Sequence, residues 1–320
     1  MDKRVLVTGG AGFIGHRLVS RLVEDRARVT VVDNLSKGNL ENLRSLLRDV
    51  EFRNEDLLTS RDLKEVLKDT DVCFHLAAKI GGIAYFHRSP ASSLRENSIM
   101  NFNVWDAAIE SGCMVVCLSS SMVFERASSF PTPEIAVTTS PPPLTGYGFS
   151  KLVAEYIART YFEEYGVKFL IVRPFNAYGP GEAPGDYVGY AHVIPDLIKK
   201  TLSGQYPLEI LGTGDQTRSY TYVDDIADAI LFVAERFEND DFNVGTGIET
   251  TVLDVARNIW SLCGRTEPFQ VKPSIGLQYD VPRRVPDVTK LFERGWRPKH
   301  TLEDGLRITI NWLKEKSAHN

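Results

Sequence analysis

The sequence predicts an α/β fold in which a doubly wound parallel sheet carries a smaller C-terminal lobe. Short, continuously apolar runs alternate with segments of helical periodicity through the first half of the chain. Such runs are typical of parallel strands that helices cover on both faces. A glycine-rich turn joins the first run to the first helical segment, as in doubly wound sheets that bind ligands at the carboxyl ends of their strands.

The apolar runs define the predicted strands, which are residues 5–7, 29–32, 72–76, 114–118 and 169–172. Apolar residues recur at helical spacing from Ile14 to Val23, and another helix is predicted to begin near Tyr147. Residues 130–145 are rich in Pro, Ser and Thr and are predicted to form a loop. Four Gly and two Pro between residues 179 and 189 predict a second interruption of regular structure.

Beyond this interruption the alternation of strands and helices weakens, which predicts a second lobe. We expect residues 1–176, together with about 219–245, to form the domain that contains the sheet. We expect about 177–218 and 246–320 to form the smaller lobe. A chain of 320 residues is long enough to bury a hydrophobic core without disulfides or metals.

Composition argues against several classes of protein. Lys and Arg total 37 against 42 Asp and Glu, a net charge of −5, and the basic residues are scattered, so we expect no nucleic-acid partner. No apolar run approaches the roughly 18–20 residues that span a membrane. The first residues run into a predicted strand rather than a signal peptide. The four cysteines lack CxxC or metal-ligand spacing, so we expect reduced thiols, no metal site and a cytoplasmic location.

The turn after the first predicted strand has the glycine spacing of a dinucleotide-binding loop. Gly9 allows a tight turn, Gly12 lets the backbone approach a pyrophosphate, and Gly15 lets the helix pack on the strand. Phe13 and Ile14 begin the helix, whose unpaired N–H groups can donate to the anion. This setting is that of a Rossmann fold, and a plain glycine turn is the alternative.

Asp33 closes the second predicted strand about 20 residues beyond the glycines. Its carboxylate can accept hydrogen bonds from both hydroxyls of an adenosine ribose and would repel a 2′-phosphate, which favours NAD over NADP. An Asp that caps a turn at Asp33 and Asn34 is the alternative. Asp56 and Leu57 follow a further short strand, which lies between the strands 29–32 and 72–76. They are candidate contacts to the adenine, although a solvated Asp is equally consistent with the sequence.

Tyr147 and Lys151 stand four residues apart in a predicted helix, so their side chains share one face. A free phenol has a pKa of about 10. An ammonium about 4 Å away would favour the phenolate by about 4 kcal/mol at an effective dielectric of about 20. That predicts a pKa for Tyr147 near neutrality, where a phenol can act as a proton shuttle. A chance occurrence of this spacing is the alternative.

Three serines, Ser119, Ser120 and Ser121, follow the strand 114–118. They are predicted to lie at the carboxyl edge of the sheet, where doubly wound folds bind ligands. A hydroxyl there can hydrogen-bond a reacting oxygen of a ligand beside Tyr147. A serine-rich exit from a strand into a loop is the alternative.

In combination, these motifs resemble the extended short-chain dehydrogenase/reductases, and more narrowly the NAD-dependent nucleotide-sugar epimerases and dehydratases. The likeness runs over nearly the whole chain and is carried by residues 8–15, 33–36, 75–78, 119–121, 147–151 and 173–176. It implies that the sheet domain binds NAD, with Leu76, Ala77 and Ala78 among its contacts. It implies that the second lobe binds a nucleotide-diphosphate sugar, and that two chains form a homodimer through the Tyr147 helix and the helix before it.

The resemblance also implies individual roles. Ser120 matches the catalytic hydroxyl, Tyr147 the base and Lys151 its partner. Further positions match residues that hold the substrate: Asn176 and Arg218 at the diphosphate, Arg283 or Arg284 as a second clamp, and His192 at the diphosphate or sugar. A surface Arg, or a packed or surface His, is the alternative for these cationic positions.

Departures from the resembled families narrow the reaction. The 4,6-dehydratases carry Asp-Glu where this chain has Ser121 and Met122, and the decarboxylases carry Glu at Met122. Residues 79–83, 192–195 and 305–309 resemble GDP-fucose synthases and GDP-mannose 3,5-epimerases, which carry an acid/base Cys at Met122. Methionine cannot shuttle protons. We therefore expect a nucleotide-sugar 4-epimerase acting through a transient 4-keto sugar.

Two other functions stay open. One is a 4-ketosugar reductase or sugar dehydrogenase of the same fold, and the other is an NAD-binding protein without enzymatic activity. Residues 33–36 resemble UDP-sugar epimerases and residues 79–83 resemble GDP-sugar enzymes, so the nucleotide stays open as well.

Overall fold

A computed structural model of the chain describes residues 3–80, 89–182, 184, 192–274 and 281–318. Its strands, in chain order, are β1 Arg4–Thr8, β2 Arg28–Val32, β3 Val50–Arg53, β4 Val72–His75, β5 Met114–Leu118, β6 Phe169–Pro174, β7 Ala177–Tyr178, β8 Leu208–Leu211, β9 Thr217–Arg218, β10 Thr221–Tyr222, β11 Asp240–Val244, β12 Thr250–Thr251, β13 Val271–Ser274 and β14 Arg283–Arg284. Its α-helices are α1 Phe13–Glu24, α2 Leu63–Lys68, α3 Pro90–Ala108, α4 Ala136–Thr139, α5 Gly146–Tyr165, α6 Val193–Leu202, α7 Val223–Ala234, α8 Val252–Leu262, α9 Thr289–Glu293 and α10 Leu302–Ala318.

Seven strands form one sheet in the order β11-β6-β5-β4-β1-β2-β3, and every neighbouring pair is parallel. The chain winds outward from β1 in one direction to β3 and then in the other direction from β4 to β11. The predicted doubly wound fold is confirmed. The strand order reverses between β1 and β4, which leaves a crevice at the carboxyl ends of these two strands.

Helices cover both faces of the sheet. On one face α1 packs on α7 through a buried cluster that includes Leu18, Val19 and Ile230. On the other face α3 lies beside α5, and Trp105 and Ile157 are buried between them and the strands. Because both faces are covered, the central strands β1, β4 and β5 are largely apolar, which is the pattern the sequence displays.

The second lobe has its own hydrophobic core. Ile198 of α6, Ile259 of α8 and Ile310 of α10 meet there against the parallel pair β8–β13. The chain leaves the sheet after β6, builds the first part of this lobe, and returns with α7 and β11 to complete the sheet. The domain boundaries given above stay a prediction.

The predicted loop at 130–145 is interrupted by the single turn of α4, whose Ala136 is buried. Within the predicted interruption at 179–189, residues 183 and 185–189 lie outside the described residues. Among the helices that the structure describes, none is long and apolar enough to cross a membrane.

A buried ion pair links three elements of the sheet domain. Arg173 of β6 is fully buried, and its guanidinium donates to the carboxylate of Glu155 on α5 at 2.7 and 2.6 Å. The same group donates to Asp241 of β11 at 2.6 Å. Breaking such a pair leaves an uncompensated buried charge, so these three residues have to be kept or replaced together.

Candidate active site

A cavity of about 600 Å³ lies between the carboxyl edge of the sheet and the second lobe. The residues predicted to bind the cofactor or substrate that line it are Gly9, Gly12, Phe13, Ile14, Gly15, Asp33, Asn34, Asp56, Leu57, Leu76, Ala77, Ala78, Ser120, Tyr147, Lys151, Asn176, His192 and Arg218. Positions that are far apart in the sequence therefore meet in one cavity.

The glycine turn has the geometry expected of a pyrophosphate cradle. Gly9 has φ +72°, and a Cβ there would lie 2.7 Å from the amide nitrogen of Ala77. A Cβ at Gly15 would lie 2.2 Å from the carbonyl oxygen of Gly9, so only glycine lets α1 pack this closely. A Cβ at Gly12 would meet only that same carbonyl oxygen, at 3.1 Å.

The start of α1 is suited to an anion. Gly12 is its N-cap residue and provides no side-chain cap, and the first turn contains no acidic residue. Its N–H groups and the helix dipole are therefore available to a negatively charged group in the cavity. Backbone donors, open space and a neighbouring carboxylate together fit a dinucleotide cofactor.

Asp33 caps the turn after β2 and also lines the cavity, so the two interpretations of this residue are compatible. Its carboxylate accepts hydrogen bonds from the backbone N–H of Ala11 at 3.0 Å and of Leu35 at 2.8 Å, so it shapes the turn that follows β2. It also lines the cavity. Burial raises the pKa of this carboxyl, and the two backbone hydrogen bonds oppose that shift.

Asn34 links the turn after β2 to the segment that follows β3, in the same wall of the cavity as Asp33. Its amide donates to Asp56 at 3.0 Å, and Asp56 also accepts the backbone N–H of Leu58 at 2.9 Å. Both side chains line the cavity, so Asp56 is tied into the wall rather than extended into solvent.

The three candidate catalytic residues come from two elements. Ser120 precedes the 3₁₀ turn Ser121–Phe124, and its Oγ accepts the backbone N–H of Met122 at 3.2 Å. Tyr147 lies in the first turn of α5 with 4% of its surface exposed. Lys151, one turn further on, donates to the carbonyl oxygen of Leu118 at 2.7 Å.

The prediction that Lys151 brings the Tyr147 phenol near neutrality is wrong for this arrangement. Burial raises the pKa of Tyr147 to about 12, while a hydrogen bond from Ser120 and the charge of Arg284 lower it. The Lys151 ammonium is bound to a backbone carbonyl and lies 5.9 Å from the centroid of the phenol ring. Desolvation of the phenolate is therefore the largest effect on this group.

Two apolar side chains pack beside Tyr147. Met122 and Tyr147 form one buried cluster, against which Ile80 packs. The position after the catalytic serines that could carry a second acid or base thus holds a thioether, which has no proton to give.

Two arginines of the second lobe face each other across neighbouring strands. Arg218 of β9 is paired in register with Arg284 of β14, and both line the cavity. Like charges directly across a strand pair repel one another. An anion between them relieves that repulsion, and guanidinium groups match phosphate oxygens well.

Arg283 as the second clamp is wrong, because it does not line the cavity, whereas its alternative Arg284 does. Adjacent strand residues point to opposite faces, so Arg283 points away from the cavity. It is paired in register with Thr217, and both side chains bind Glu249, with Arg283 donating at 2.8 Å.

Asn176 has an uncommon backbone for its type, with φ +37°. Its side-chain oxygen is buried and has no hydrogen-bond partner among the described residues. The residue lines the cavity immediately after β6. Strain and an unsatisfied buried acceptor at one cavity residue are typical of a ligand-binding position.

His192 lies at the N-cap of α6 with 48% of its side chain exposed. Its Nδ1 is hydrogen-bonded to the carboxylate of Glu182, which raises the pKa of the imidazole. Glu182 lines the cavity but was missed at the sequence level, because a single acid within a Gly- and Pro-rich segment carries no pattern.

Lys79 is a second cavity residue without a predicted role. Its ammonium lies 3.4 Å from a carboxylate oxygen of Glu96 on α3. The side chain of Asn97 holds its backbone by accepting its N–H at 2.7 Å. The rest of the segment that resembles GDP-sugar enzymes, residues 81–83, lies outside the described residues.

Comparison with known proteins identifies the family. Residues 5–245 match the model of the family described as "NAD dependent epimerase/dehydratase family". The chain belongs to this family. It is therefore an NAD-dependent enzyme, as its motifs predict, and NAD is the cofactor that its cavity fits.

Relatives within the family differ in reaction. A Methanocaldococcus jannaschii protein named provisionally as a UDP-glucose 4-epimerase is 34% identical over 98% of this chain and 99% of its own. A UDP-N-acetyl-alpha-D-glucosaminuronate decarboxylase of Bacillus cytotoxicus is 32% identical over 98% and 99%. The UDP-glucose 4-epimerase of Thermotoga maritima, solved with UDP-glucose, is 33% identical and superposes with a TM-score of 0.88 over 98% and 99%.

Proposed function

We propose that this enzyme is a nucleotide-sugar 4-epimerase that works through a transient 4-keto sugar. The observation that carries the proposal is the set of groups around Tyr147. Ser120 and the charge of Arg284 act on the phenol, Lys151 lies on the same helix, and Met122 fills the neighbouring position. This set suffices for oxidation and reduction at one hydroxyl-bearing carbon.

Tyr147 acts as the proton acceptor and donor at the C4 hydroxyl of the sugar. NAD, which the glycine turn and Asp33 would hold, would supply the hydride acceptor and donor for C4. The phenolate of Tyr147 receives the C4 hydroxyl proton during oxidation, and the resulting phenol gives it back during reduction, so no proton or electron is consumed overall. Ser120 donates a hydrogen bond to the same oxygen. Reduction on the opposite face of the 4-keto sugar inverts C4.

Positive charge near the phenol of Tyr147 lowers its pKa, and this favours removal of the C4 hydroxyl proton during oxidation. Tyr147 alone is neutral at pH 7, because burial raises its pKa to about 12. Arg284 lowers that pKa, and the positive charge of an oxidised nicotinamide would lower it further. The base is thereby activated only in the loaded enzyme.

Met122 argues against the other reactions of the family. Removing a proton from a neighbouring carbon needs a second acid or base beside the sugar. The resembled dehydratases and decarboxylases carry Glu at this position, and the resembled 3,5-epimerases carry Cys. A decarboxylase is among the relatives, so product identity is the decisive measurement.

The substrate that we propose is a UDP-sugar. Arg218, Arg284 and Asn176 would hold its diphosphate, and His192 would contact the diphosphate or the sugar. The relatives named above act on or bind UDP-sugars according to their names. In this proposal the sheet domain, residues 1–176 with about 219–245, binds NAD and the second lobe binds the nucleotide sugar.

We also propose a homodimer formed by α3 and α5. These helices pack side by side and leave Phe102, Phe149 and Tyr156 exposed, the last at 62%. Phe149 and Tyr156 are seven residues apart, and therefore lie on one face of α5. Sedimentation of the intact protein would test this assembly.

Product analysis tests the proposed reaction. The purified protein is incubated separately with UDP-glucose, UDP-N-acetylglucosamine, UDP-glucuronate and GDP-mannose, without added reductant, and the products are identified by NMR. The expected result is conversion of a UDP-sugar into its C4 epimer. Loss of CO₂, loss of water, or turnover only with stoichiometric NADH would contradict it.

A further inference from the structure

Glu125 connects the two elements that carry the candidate catalytic hydroxyls. It directly follows the turn Ser121–Phe124 that Ser120 begins. One oxygen of its carboxylate accepts the backbone N–H of Leu144 at 2.6 Å and of Thr145 at 3.0 Å, and the other accepts the hydroxyl of Thr145. Glu125 is thus bound at three points to the segment that enters α5.

Thr145 transmits this contact into the helix. It is the N-cap residue of α5, and its Oγ accepts the backbone N–H of Gly148 at 3.0 Å. The first turn of α5 contains no acidic residue, so the carboxylate of Glu125 is well placed to complement the positive end of the helix. Tyr147 lies within the segment that is fixed in this way.

Gly146 and Gly148, in the first turn of α5, pack directly against neighbouring backbone and leave no room for a side chain. A Cβ at Gly148 would lie 2.8 Å from the carbonyl oxygen of Met122, in the turn after Ser120. A Cβ at Gly146 would lie 2.3 Å from the carbonyl oxygen of Pro90, at the start of α3. Tyr147 stands between these glycines, so its backbone is seated against both neighbouring elements.

We propose that Glu125 is a positioning residue that holds the phenol of Tyr147 in register with the hydroxyl of Ser120. The inference rests on the proposed function, in which both groups act on one sugar oxygen. A misplacement of about 1 Å at such a site can cost about 100-fold in rate. Glu125 touches neither substrate nor cofactor in this scheme, since it does not line the cavity.

The pH dependence of the rate provides a readout that simple destabilisation would not change. Charged groups that bear on Tyr147 are Lys151 on its own helix and Arg284 on β14, while Met122 and Ile80 are apolar neighbours. The hydrogen bond from Ser120 lowers the pKa of Tyr147. If that bond lengthens, the pKa of the phenol rises, and the acid limb of the rate profile moves to higher pH.

The experiment compares Glu125→Ala with Glu125→Gln and the control Glu134→Ala. Glu134 also accepts a backbone N–H, that of Asn243 at 2.9 Å, but it belongs to a different loop. We expect Glu125→Ala to lower kcat at least about tenfold, leave KM within about twofold and shift the acid limb upward. Glu125→Gln keeps hydrogen-bonding atoms at these contacts and should retain kcat within about threefold. The control should keep kcat and the profile.

A second pair of variants covers the case in which Glu125→Ala does not fold. Thr145→Val removes the hydroxyl that Glu125 and Gly148 bind and should reproduce the loss of kcat and the shifted limb, whereas Thr145→Ser should not. Glu125→Ala behaving like Glu134→Ala, or losing rate with an unshifted limb, would overturn the inference. A wild-type enzyme that makes no C4 epimer would instead overturn the proposed function.

Discussion

The two walls of the cavity present different chemical groups: mainly backbone on the sheet side and charged side chains on the side of the second lobe. On the sheet side, the wall at Gly9, Gly12 and Gly15 depends on backbone groups and on the absence of side chains. On the side of the second lobe, the wall depends on the charged side chains of Arg218 and Arg284. The first wall suits a cofactor that every member of the family shares. The second presents side chains whose charge suits an anionic ligand.

The pKa values of two histidines, His75 and His192, are shifted in opposite directions. His75, at the end of β4, is buried with its Nδ1 2.8 Å from Thr8 Oγ1, and burial lowers its pKa to about 3. His192, in the wall of the second lobe, is half exposed, and the carboxylate of Glu182 raises its pKa. His75, which does not line the cavity, is therefore kept neutral by burial, whereas His192, which lines the cavity, is favoured in its protonated form.

The largest effect is expected where the two walls meet. Tyr147→Phe removes the phenol oxygen and should lower kcat for epimerisation about 1000-fold, because proton transfer at C4 loses its acceptor. NAD affinity should change little, since the glycine turn and Asp33 are untouched. Kinetics and NAD titration measure both. Tyr165→Phe, at an exposed position of the same helix, is the control, and comparable rates in the two variants would refute the assignment.

The sheet wall can be broken by adding one methyl group. Gly9→Ala places a Cβ 2.7 Å from the Ala77 nitrogen at φ +72°, and should weaken NAD binding at least about tenfold as the turn is displaced. Gly112 has nearly the same backbone, φ +69°, with nothing within 4 Å of its Cβ position. Gly112→Ala should therefore cost only about 1–2 kcal/mol of unfolding free energy and leave NAD affinity unchanged. Calorimetry of both variants tests this, and equal NAD affinities would argue against the close approach.

Substitutions of Arg283 and Arg284 should have different effects on the binding of the nucleotide sugar, because the two side chains point to opposite faces of β14. Arg284→Ala removes a charge-assisted contact to the diphosphate, of about 1.5–3 kcal/mol, and should raise KM for the nucleotide sugar about 10- to 100-fold. Arg283→Ala removes only the exposed pair with Glu249 and should change KM by less than about twofold. Similar KM values for the two variants would contradict the placement of the clamp.

The smallest effect concerns the two histidines. His192 should titrate above its ordinary pKa, and Glu182→Gln should lower that pKa, because the neutral amide no longer favours the protonated imidazole. His75 should stay neutral from pH 8 down to about pH 5 in both proteins. NMR of the imidazole resonances measures both. A His192 pKa that is unchanged in Glu182→Gln would show that the pair does not exist in solution.

Sequence patterns predicted the sheet wall well for a physical reason. The glycine turn, Asp33 and the strands are local features, and each depends on a few consecutive residues whose chemistry permits one arrangement. The second lobe depends on contacts between distant segments. Its clamp is set by the pairing of β9 with β14, and a shift of one residue in that register exchanges Arg283 for Arg284. Desolvation at Tyr147 depends on the whole fold, so its pKa could not be obtained from the spacing of Tyr147 and Lys151.

The ion pair of Arg173 with Asp241 joins β6 and β11, two adjacent strands of the sheet that are far apart in the sequence. The segment that contributes β7, α6, β8, β9 and β10 is inserted between two adjacent strands of one sheet, β6 and β11, so it cannot be exchanged as a terminal module. The rest of the second lobe, from α8 to α10, follows β11. A chain cut after β6 would lose its edge strand and leave a guanidinium in the interior with half of its counter-charge. Any exchange of this inserted segment must therefore keep β6 and β11 in one chain, so that Arg173 retains the carboxylates of Glu155 and Asp241.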